Sequence, residues 1–174
     1  GAQYRAPHVI LAVGRDGAGW LAGEARRLGL PTEMNPVDIG LRVELPAAVL
    51  ASLTEEVYEA KLYYTSTTFD DQVRTFCMCP YGEVIREEYD GVTTVNGHSY
   101  AERRTANTNF AVLVSTTFTE PFREPVAYGR SVASLANLLG GQILVQRLGD
   151  LRAGRRSTPE RIRKGPVVPS LKEA

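Results

Sequence analysis

Two cysteines, Cys77 and Cys79, stand out as residues that could do chemistry, because thiols act as nucleophiles or as redox pairs. They lie one residue apart in VRTFCMC, residues 73–79. In a regular strand their side chains share one face, with Cβ atoms about 6.6 Å apart, whereas a disulfide requires about 4 Å. The spacing therefore predicts two small buried side chains and no bridge, as is typical of a protein from the reducing cytosol.

His98 and Arg42 are two further side chains whose types suit action on a substrate. A histidine can gain and lose a proton near neutral pH, so His98 could protonate a substrate; the alternative is a surface residue after the Asn96-Gly97 turn. Arg42 lies mid-strand between apolar neighbours and could clamp an anion with two parallel hydrogen bonds. The alternatives for Arg42 are an outward-facing side chain and a pair with Glu44 on the same strand face.

The composition narrows the classes of protein that remain. The 174 residues suffice for one domain with a substantial core, and 43% hydrophobic with 23% charged residues is typical of soluble globular proteins. Twenty basic and twenty acidic residues cancel, which favours neither nucleic acid nor a membrane surface as partner. No apolar run reaches the roughly 20 residues that span a bilayer, so we expect a cytoplasmic protein. The histidines, His8 and His98, are not spaced as zinc ligands, and we expect no metal site.

The stretch VILAVGRDGAGWLAGEA, residues 9–25, contains the pattern G-x-G-x-x-A that is typical of dinucleotide-binding loops. In such a loop the first glycine ends a strand, so that phosphates sit on the helix N-terminus. Here Gly14 ends the apolar run, and Gly17, the first glycine of the pattern, comes three residues later. This order favours the alternative, a short buried strand over residues 8–13 followed by a helix that Asp16 caps.

The remaining pattern predicts an α+β fold in which a mostly antiparallel sheet packs against a long helix. We expect the second to fourth of the predicted strands to form a three-stranded meander, joined by a type I turn at residues 79–82 and by an Asp90-Gly91 hairpin. The fifth is apolar on both faces, which suits a central strand. The predicted strands are residues 37–45, 73–79, 83–88, 92–96 and 109–117.

Helix signals lie on both sides of these strands. Gly29 ends the first helix, and the strongest signal runs from Pro125 to Leu139, with Gly140 beyond its end. We expect the apolar positions of this long helix to face the sheet: Tyr128, Val132, Leu135, Ala136 and Leu139. Residues 147–164 instead hold seven basic residues against two acidic ones, without periodicity, which predicts an extended or mobile basic tail.

Four segments carry a resemblance to a known group of proteins. They are NPVDIGLRVELP (35–46), TFDDQVRTFCMCPYGEV (68–84), VNGHSYAERRTANTNFAVLVS (95–115) and LVQRLGDLRAGRRSTPERI (144–162). Together they resemble the uncharacterised FAD-dependent dehydrogenases, often described as NAD(FAD)-utilising dehydrogenases, and the resemblance covers nearly the whole chain. The combination of FCMCP with VNGHSY is specific. Tyr81 departs from the family pattern, which commonly has a second glycine there, so the turn could differ locally.

The resemblance implies that the chain is the middle of a two-dinucleotide-binding flavoprotein, with the FAD fingerprint upstream and a closing FAD-contact segment downstream. VILAVGRDG resembles the strand that returns to the FAD domain, which implies that Val13, Gly14 and Arg15 contact FAD. The implied divisions are residues 1–30 beside the FAD domain, residues 31–146 as an inserted substrate domain, and residues 147–174 as a basic, irregular tail.

Two further cofactor roles follow from the resemblance. Arg147 and Arg156 could grip a phosphate of FAD or of NAD(P)H, the possible reductant, although a solvated basic loop is the alternative. Cys77 and Cys79 could relay electrons with a flavin, as in disulfide reductases, but their spacing argues against it.

The implied function is that of an FAD-dependent oxidoreductase, a dehydrogenase acting on a small molecule that the sequence does not specify. We expect FAD in the parent protein, none in this chain, and no activity of the isolated chain, whose partner is the rest of the parent. Two rival functions remain. One is an autonomous NAD- or FAD-binding domain that uses GAGWLA, and the other is a non-enzymatic protein-interaction module.

Overall fold

The computed structural model describes residues 2–119, 121, 124–169 and 171–173, with residues 172 and 173 described by their backbone alone. Contacts divide the chain into residues 1–33 and residues 34–174, and each unit is described by itself. Within the described residues, no helix combines the length and the apolar character that crossing a bilayer requires.

The first unit contains helix α1, Ala18–Arg27. The helix ends in a Schellman motif, in which the Leu30 N–H donates to the Ala25 carbonyl and the Gly29 N–H to the Arg26 carbonyl. Gly29 has a φ of +65°, a conformation that glycine adopts without steric cost. The predicted end of this helix at Gly29 is confirmed.

Two other predictions for the first unit are wrong. Residues 8–13 form no strand, and their apolar side chains are exposed, with Ile10 at 90%, except for Val13, which is half-buried. A strand requires a neighbour to accept its hydrogen bonds, and the described residues pair no segment with this one. Asp16 does not cap α1: the N-cap is Gly17, because the Gly17 N–H donates to the Val13 carbonyl and delays the helix by one residue.

The second unit contains a four-stranded and a three-stranded sheet among its described residues. The strand order is β1-β6-β3-β2 in the first sheet, antiparallel throughout, and β5-β4-β7 in the second, where β4 and β7 are parallel. The strands are β1 Val37–Pro46, β2 Tyr63–Thr65, β3 Gln72–Cys79, β4 Glu83–Tyr89, β5 Val92–His98, β6 Asn107–Thr116 and β7 Lys172–Glu173. A 3₁₀ turn, Ala47–Val49, and helix α2, Ala51–Thr54, follow β1.

The α+β fold class is confirmed, and β6 is central as predicted, whereas the three-stranded meander is wrong. Strand β3 belongs to the first sheet and the β4–β5 hairpin to the second, so the turn at residues 79–82 joins two sheets. That turn is not type I, because Tyr81 at its third position has a φ of +53°, as in a type II turn. The Asp90-Gly91 hairpin is confirmed, and both residues have positive φ.

Helix α3, Pro125–Gly140, packs against β5 and β1 with its small residues. A Cβ at Gly129 would lie 3.2 Å from Val37 Cγ2, so glycine permits the close approach. The predicted apolar face is therefore wrong, because close packing on the sheet selects small side chains and leaves the large ones outside. Of the five predicted residues Ala136 is half-buried; the exposed ones are Tyr128, Val132, Leu135 and Leu139. The left-handed residue that ends the helix is Gly141, with a φ of +78°.

The basic C-terminal segment is not irregular throughout. It contains two short helices, α4 Leu148–Arg152 and α5 Pro159–Arg163. The Thr158 hydroxyl caps α5 by accepting a hydrogen bond from the Arg161 N–H. The predicted irregular tail is wrong here, because this segment is ordered by hydrogen bonds to the buried carboxylate of Asp150.

Candidate functional site

Three adjacent strands place Arg42, Cys77, Cys79 and Asn109 together, and we call these four residues the arginine–thiol centre. Arg42 on β1 donates from Nε to Asn109 Oδ1 at 2.7 Å and from Nη2 to the Cys77 carbonyl at 2.7 Å. The same Nη2 lies 3.3 Å from Cys79 Sγ. Arg42 thus points into the molecule and joins β1, β3 and β6, so the outward-facing alternative is wrong.

Strand β5 covers the Arg42 guanidinium with a glycine. A Cβ at Gly97 would overlap the guanidinium group and would crowd Asn109 Oδ1. Asn96 and Gly97 therefore do not form the predicted turn: the strand continues to His98, and glycine is required here for close approach.

The arginine–thiol centre combines a positive charge with neutral hydrogen-bond acceptors. The hydrogen bonds of Arg42 that the structure describes go to an amide oxygen, a carbonyl oxygen and a thiol. Asn109 is fully buried, and its Nδ2 has no hydrogen-bond partner among the described residues. Burial raises the pKa of the Cys79 thiol, while a hydrogen bond with Ser99 and the charge of Arg42 act against that rise.

A β-bulge brings the two thiols together. The register between β3 and β6 shifts between Phe76 and Cys79, and Cys77 has a φ of +46°. The two sulfur atoms lie 4.0 Å apart. Cys79 is buried as predicted, whereas Cys77 is half-buried. The predicted separation of about 6.6 Å between the two Cβ atoms assumed a regular strand, and the bulge breaks that geometry.

A cleft of about 630 Å³ borders this centre, a size common for small-molecule sites. Ser99 lines the cleft and also contacts Cys79, so the cleft reaches the edge of the arginine–thiol centre. The charged and aromatic residues of the lining are of three kinds: aromatic Tyr58, Tyr81 and Tyr100, basic Arg103 and Arg104, and acidic Glu55 and Glu56.

The cleft walls are held by carboxylates. The buried Glu83 accepts hydrogen bonds from the Tyr100 hydroxyl at 2.6 Å and from Arg103 Nη2 at 2.7 Å, and the Arg103 guanidinium lies 3.9 Å from the centre of the Tyr100 ring. The Tyr81 hydroxyl donates to Glu55 at 3.0 Å, and this hydrogen bond raises the pKa of Tyr81. The aromatic walls are therefore fixed in place.

Arg104 lies against the Tyr81 ring at 4.6 Å and is exposed to solvent. Among the described residues no carboxylate lies within ion-pair distance of its guanidinium, so its charge is available to a ligand in the cleft.

His98 lies at the end of β5, where its side chain is exposed. Its ring contacts Tyr100 edge-to-face, with centroids 4.6 Å apart. The described lining of the cleft does not include His98, so the structure does not bring the two predicted catalytic residues into one pocket.

The basic C-terminal segment is organised by a second polar cluster, which we call the aspartate centre: Asp150, Arg155, Ser157 and Arg161. Asp150 is 2% exposed and accepts from Arg155 Nε at 2.8 Å, from the Ser157 hydroxyl at 2.8 Å, and from Arg161 Nη2 at 3.0 Å. The Arg155 hydrogen bond is the main cause that lowers the pKa of Asp150 to about 2.

Arg147 and Arg156, the predicted phosphate-binding residues, lie at the margins of the aspartate centre. The Arg147 backbone N–H donates to the Ser157 hydroxyl at 2.9 Å, and its side chain is half-buried. Arg156 is exposed and lies 3.4 Å from the Leu139 carbonyl near the end of α3.

Comparison with known proteins identifies the kind of domain to which these features belong. A domain family described as "FAD-dependent protein, C-terminal domain-like" matches residues 36–172. The chain belongs to this family. An uncharacterized protein of Clostridium beijerinckii (strain ATCC 51743 / NCIMB 8052) is 35% identical over 119 residues, which are 63% of this chain and 21% of that protein. The chain thus matches about a fifth of the length of this relative.

The geometry of the first unit bears on the fingerprint alternative. A Cβ at Gly17 would overlap Val13, so Gly17 is required by the turn itself. Gly14 is exposed with a φ of +63°, and Arg15 is also exposed. With residues 8–13 outside any sheet, the strand–loop–helix context of a dinucleotide fingerprint is missing from the described residues. GAGWLA therefore does not fit the FAD phosphates as a fingerprint, and the contacts of Val13, Gly14 and Arg15 with FAD stay predictions.

Three important features were missed by the sequence reasoning: the bulge at Cys77, the cleft, and the role of Asp150. Asp150 is one of two acidic residues among seven basic ones, but this count does not show that its carboxylate is buried with several arginines. The Tyr100–Glu83 contact joins residues 17 positions apart and had no local signature.

Proposed function

We propose that the chain is the substrate-binding part of an FAD-dependent oxidoreductase, a dehydrogenase whose FAD is held mainly by polypeptide outside residues 1–174. Two findings support the proposal: the chain belongs to an FAD-dependent family, and its relative is several times longer. The observation that carries the substrate assignment is the cleft between Tyr81, Tyr100 and Arg104, which adjoins the arginine–thiol centre through Ser99.

The chemistry of the cleft favours a small planar molecule with a carboxylate or phosphate group. The Tyr81 and Tyr100 side chains offer aromatic surfaces, and Arg104 offers an exposed guanidinium, while Glu55 in the same lining accepts the hydrogen bond of the Tyr81 hydroxyl. In this proposal Arg42 contributes positive potential near Ser99 and Cys79, and His98, which lies outside the described lining, is retained as a candidate proton donor. Val13, Gly14, Arg15, Arg147 and Arg156 remain proposed cofactor contacts in the parent protein, with NAD(P)H as the proposed reductant.

The proposed partner of this chain is the rest of the parent flavoprotein. We also propose that the protein lies in the cytoplasm. The outer face of α3 supports this partner, because Leu135 is 57% and Leu139 is 56% exposed on a helix whose small face already packs on the sheets. Large exposed apolar residues at helical spacing are typical of a surface that another domain covers.

The experiment has two parts. First, the longer polypeptide that contains this domain should purify with flavin absorbance, and anaerobic NADH should bleach it; a flavin-free product would contradict the proposal. Second, 4-hydroxybenzoate serves as a planar anionic probe in calorimetric titrations of the 174-residue chain. We expect Arg104→Ala to weaken its binding by about tenfold, a factor typical of one lost charge-assisted contact. The matched control is Arg163→Ala on α5, and equal affinities of the two variants would contradict the substrate assignment.

A further inference from the structure

We propose that Cys77 and Cys79 are a redox-active dithiol, which a low-molecular-weight disulfide converts to an intramolecular disulfide. The proposal concerns this chain alone and does not depend on the proposed flavin chemistry. It rests on the backbone at Cys77, on the different exposure of the two thiols, and on the charge beside Cys79.

The backbone brings the sulfur atoms together. A regular strand separates alternate residues too widely for a bridge, but the bulge holds Cys77 in a left-handed conformation with a φ of +46°. The sulfur–sulfur distance is 4.0 Å, so forming a bond of about 2.05 Å requires closure by roughly 2 Å. A non-glycine residue in this conformation is strained, and such strain concentrates at functional sites.

The two thiols differ in the way that a two-step exchange requires. Cys77 is half-buried and can meet a small molecule, whereas Cys79 is buried against Arg42. Burial raises the pKa of Cys79, but Arg42 Nη2 at 3.3 Å and the hydrogen bond with Ser99 stabilise its thiolate. The described groups beside the pair are the charged Arg42 guanidinium on β1, the Ser99 hydroxyl after β5, and the Asn109 side chain on β6.

The reaction is a pair of thiol–disulfide exchanges. The Cys77 thiolate attacks one sulfur of the external disulfide, which forms a mixed disulfide and releases one thiol after protonation. The Cys79 thiolate then attacks Cys77 Sγ, which forms the Cys77–Cys79 bond and releases the second thiol. Two electrons pass from the cysteine pair to the external disulfide, and the two cysteine protons end on the two released thiols.

The test uses glutathione as the probe. The 174-residue chain is equilibrated with mixtures of oxidised and reduced glutathione, quenched with acid, alkylated and weighed by mass spectrometry. We expect the wild type to lose two hydrogens, Cys79→Ser to gain one glutathione on Cys77, and Cys77→Ser, whose remaining thiol is buried, to gain less glutathione. We also expect the equilibrium constant for forming the Cys77–Cys79 disulfide to be about tenfold larger in the native chain than in the urea-unfolded chain. For this two-electron couple, that factor corresponds to about 30 mV in reduction potential.

The native-against-urea comparison uses only the wild type, so it does not depend on the folding of any variant. Equal equilibria in both states would overturn the proposal, because the fold would then not pre-position the thiols. Glutathione on both cysteines of the native wild type would also overturn it. The circular dichroism of the oxidised chain should match that of the reduced chain, and unfolding upon oxidation would show that the bulge cannot hold the bond.

Discussion

The arginine–thiol centre and the aspartate centre both place guanidinium groups in partly buried surroundings, yet they treat the charge in opposite ways. At the aspartate centre two arginines converge on one buried carboxylate. At the arginine–thiol centre the described hydrogen bonds of a single arginine go to neutral acceptors, beside a buried amide nitrogen that lacks a partner among the described residues. A carboxylate that binds two arginines stabilises a fold, whereas an arginine beside two thiols can stabilise a thiolate.

The backbone of the two regions shows the same contrast. Near the aspartate centre, the left-handed position after α4 is Gly154, with a φ of +63°. At the arginine–thiol centre the left-handed position is Cys77, and the adjoining turn has another at Tyr81; both residues carry side chains. Backbone strain is therefore avoided near the aspartate centre, where a glycine is left-handed, and is retained at the arginine–thiol centre. This difference is expected between a structural site and a functional site.

The largest effect is expected from removing the carboxylate of the aspartate centre. Asp150→Ala leaves Arg155, Arg161 and Ser157 without their common acceptor, and we expect the Tm to fall by about 5 °C or more. The matched control is Glu160→Ala, which breaks an exposed ion pair with Arg163 and should lower the Tm by less than about 2 °C. Thermal unfolding followed by circular dichroism measures the Tm of both variants. Equal falls in Tm would contradict the distinction between the buried and the exposed ion pairs.

Removing the positive charge of Arg42 should slow the reaction of the Cys79 thiol with an alkylating reagent. In a Cys77→Ser background, Arg42→Gln should slow alkylation of Cys79 at pH 8 by about threefold or more, because the guanidinium favours the thiolate. The midpoint of the pH–rate profile should move to higher pH, a change that altered access alone does not produce. Arg74→Gln, which breaks an ion pair with Asp38 in the same sheet, is the control and should leave the profile unchanged.

Acid should weaken the aspartate centre. The pKa of Asp150 is lowered to about 2, from an ordinary value of about 3.9. A lowered folded-state pKa stabilises the protein above the ordinary value, and that stabilisation is lost as the pH falls from about 4 to about 2. The Tm difference between the wild type and Asp150→Asn should therefore be full at pH 6 and shrink toward pH 2. A difference that persists at pH 2 would show that the charge of Asp150 is not what matters.

The smallest effects are expected from the left-handed positions. Gly154→Ala should lower the free energy of unfolding by about 1 kcal/mol, because nothing else crowds the added methyl and the strain acts alone. Tyr81→Gly should change it by less than about 0.5 kcal/mol, since relieved strain offsets the added freedom of the unfolded chain and the lost Glu55 contact. Denaturant titration measures both, and a larger loss for Tyr81→Gly would show that Tyr81 is not strained.

Features with a local signature could be predicted from the sequence. The Asp90-Gly91 hairpin, the end of α1 at Gly29 and the central strand β6 each follow from residues near in sequence. The face of α3 could not, because it depends on how closely Gly129 approaches Val37 of a distant strand. The same holds for the bulge at Cys77, which is defined by its register against β6.

Predictions for the candidate site divide in the same way. Arg42 was identified because an arginine between apolar neighbours is unusual in a strand, but its partners Asn109 and Cys77 come from strands 67 and 35 residues away. The predicted tail failed because counting charges cannot show that one carboxylate is buried among several arginines. The sequence therefore shows which residue types could do chemistry, but it does not show which of these residues lie together in the fold.

The most direct test of the central claim is a calorimetric titration of the 174-residue chain with FAD, beside the same titration of the longer polypeptide that contains it. If the chain is the substrate-binding part of a flavoprotein, the longer polypeptide binds FAD and the chain shows no saturable binding at micromolar concentrations. Micromolar binding of FAD by the chain alone would contradict this account and would return GAGWLA to consideration as a nucleotide-binding loop.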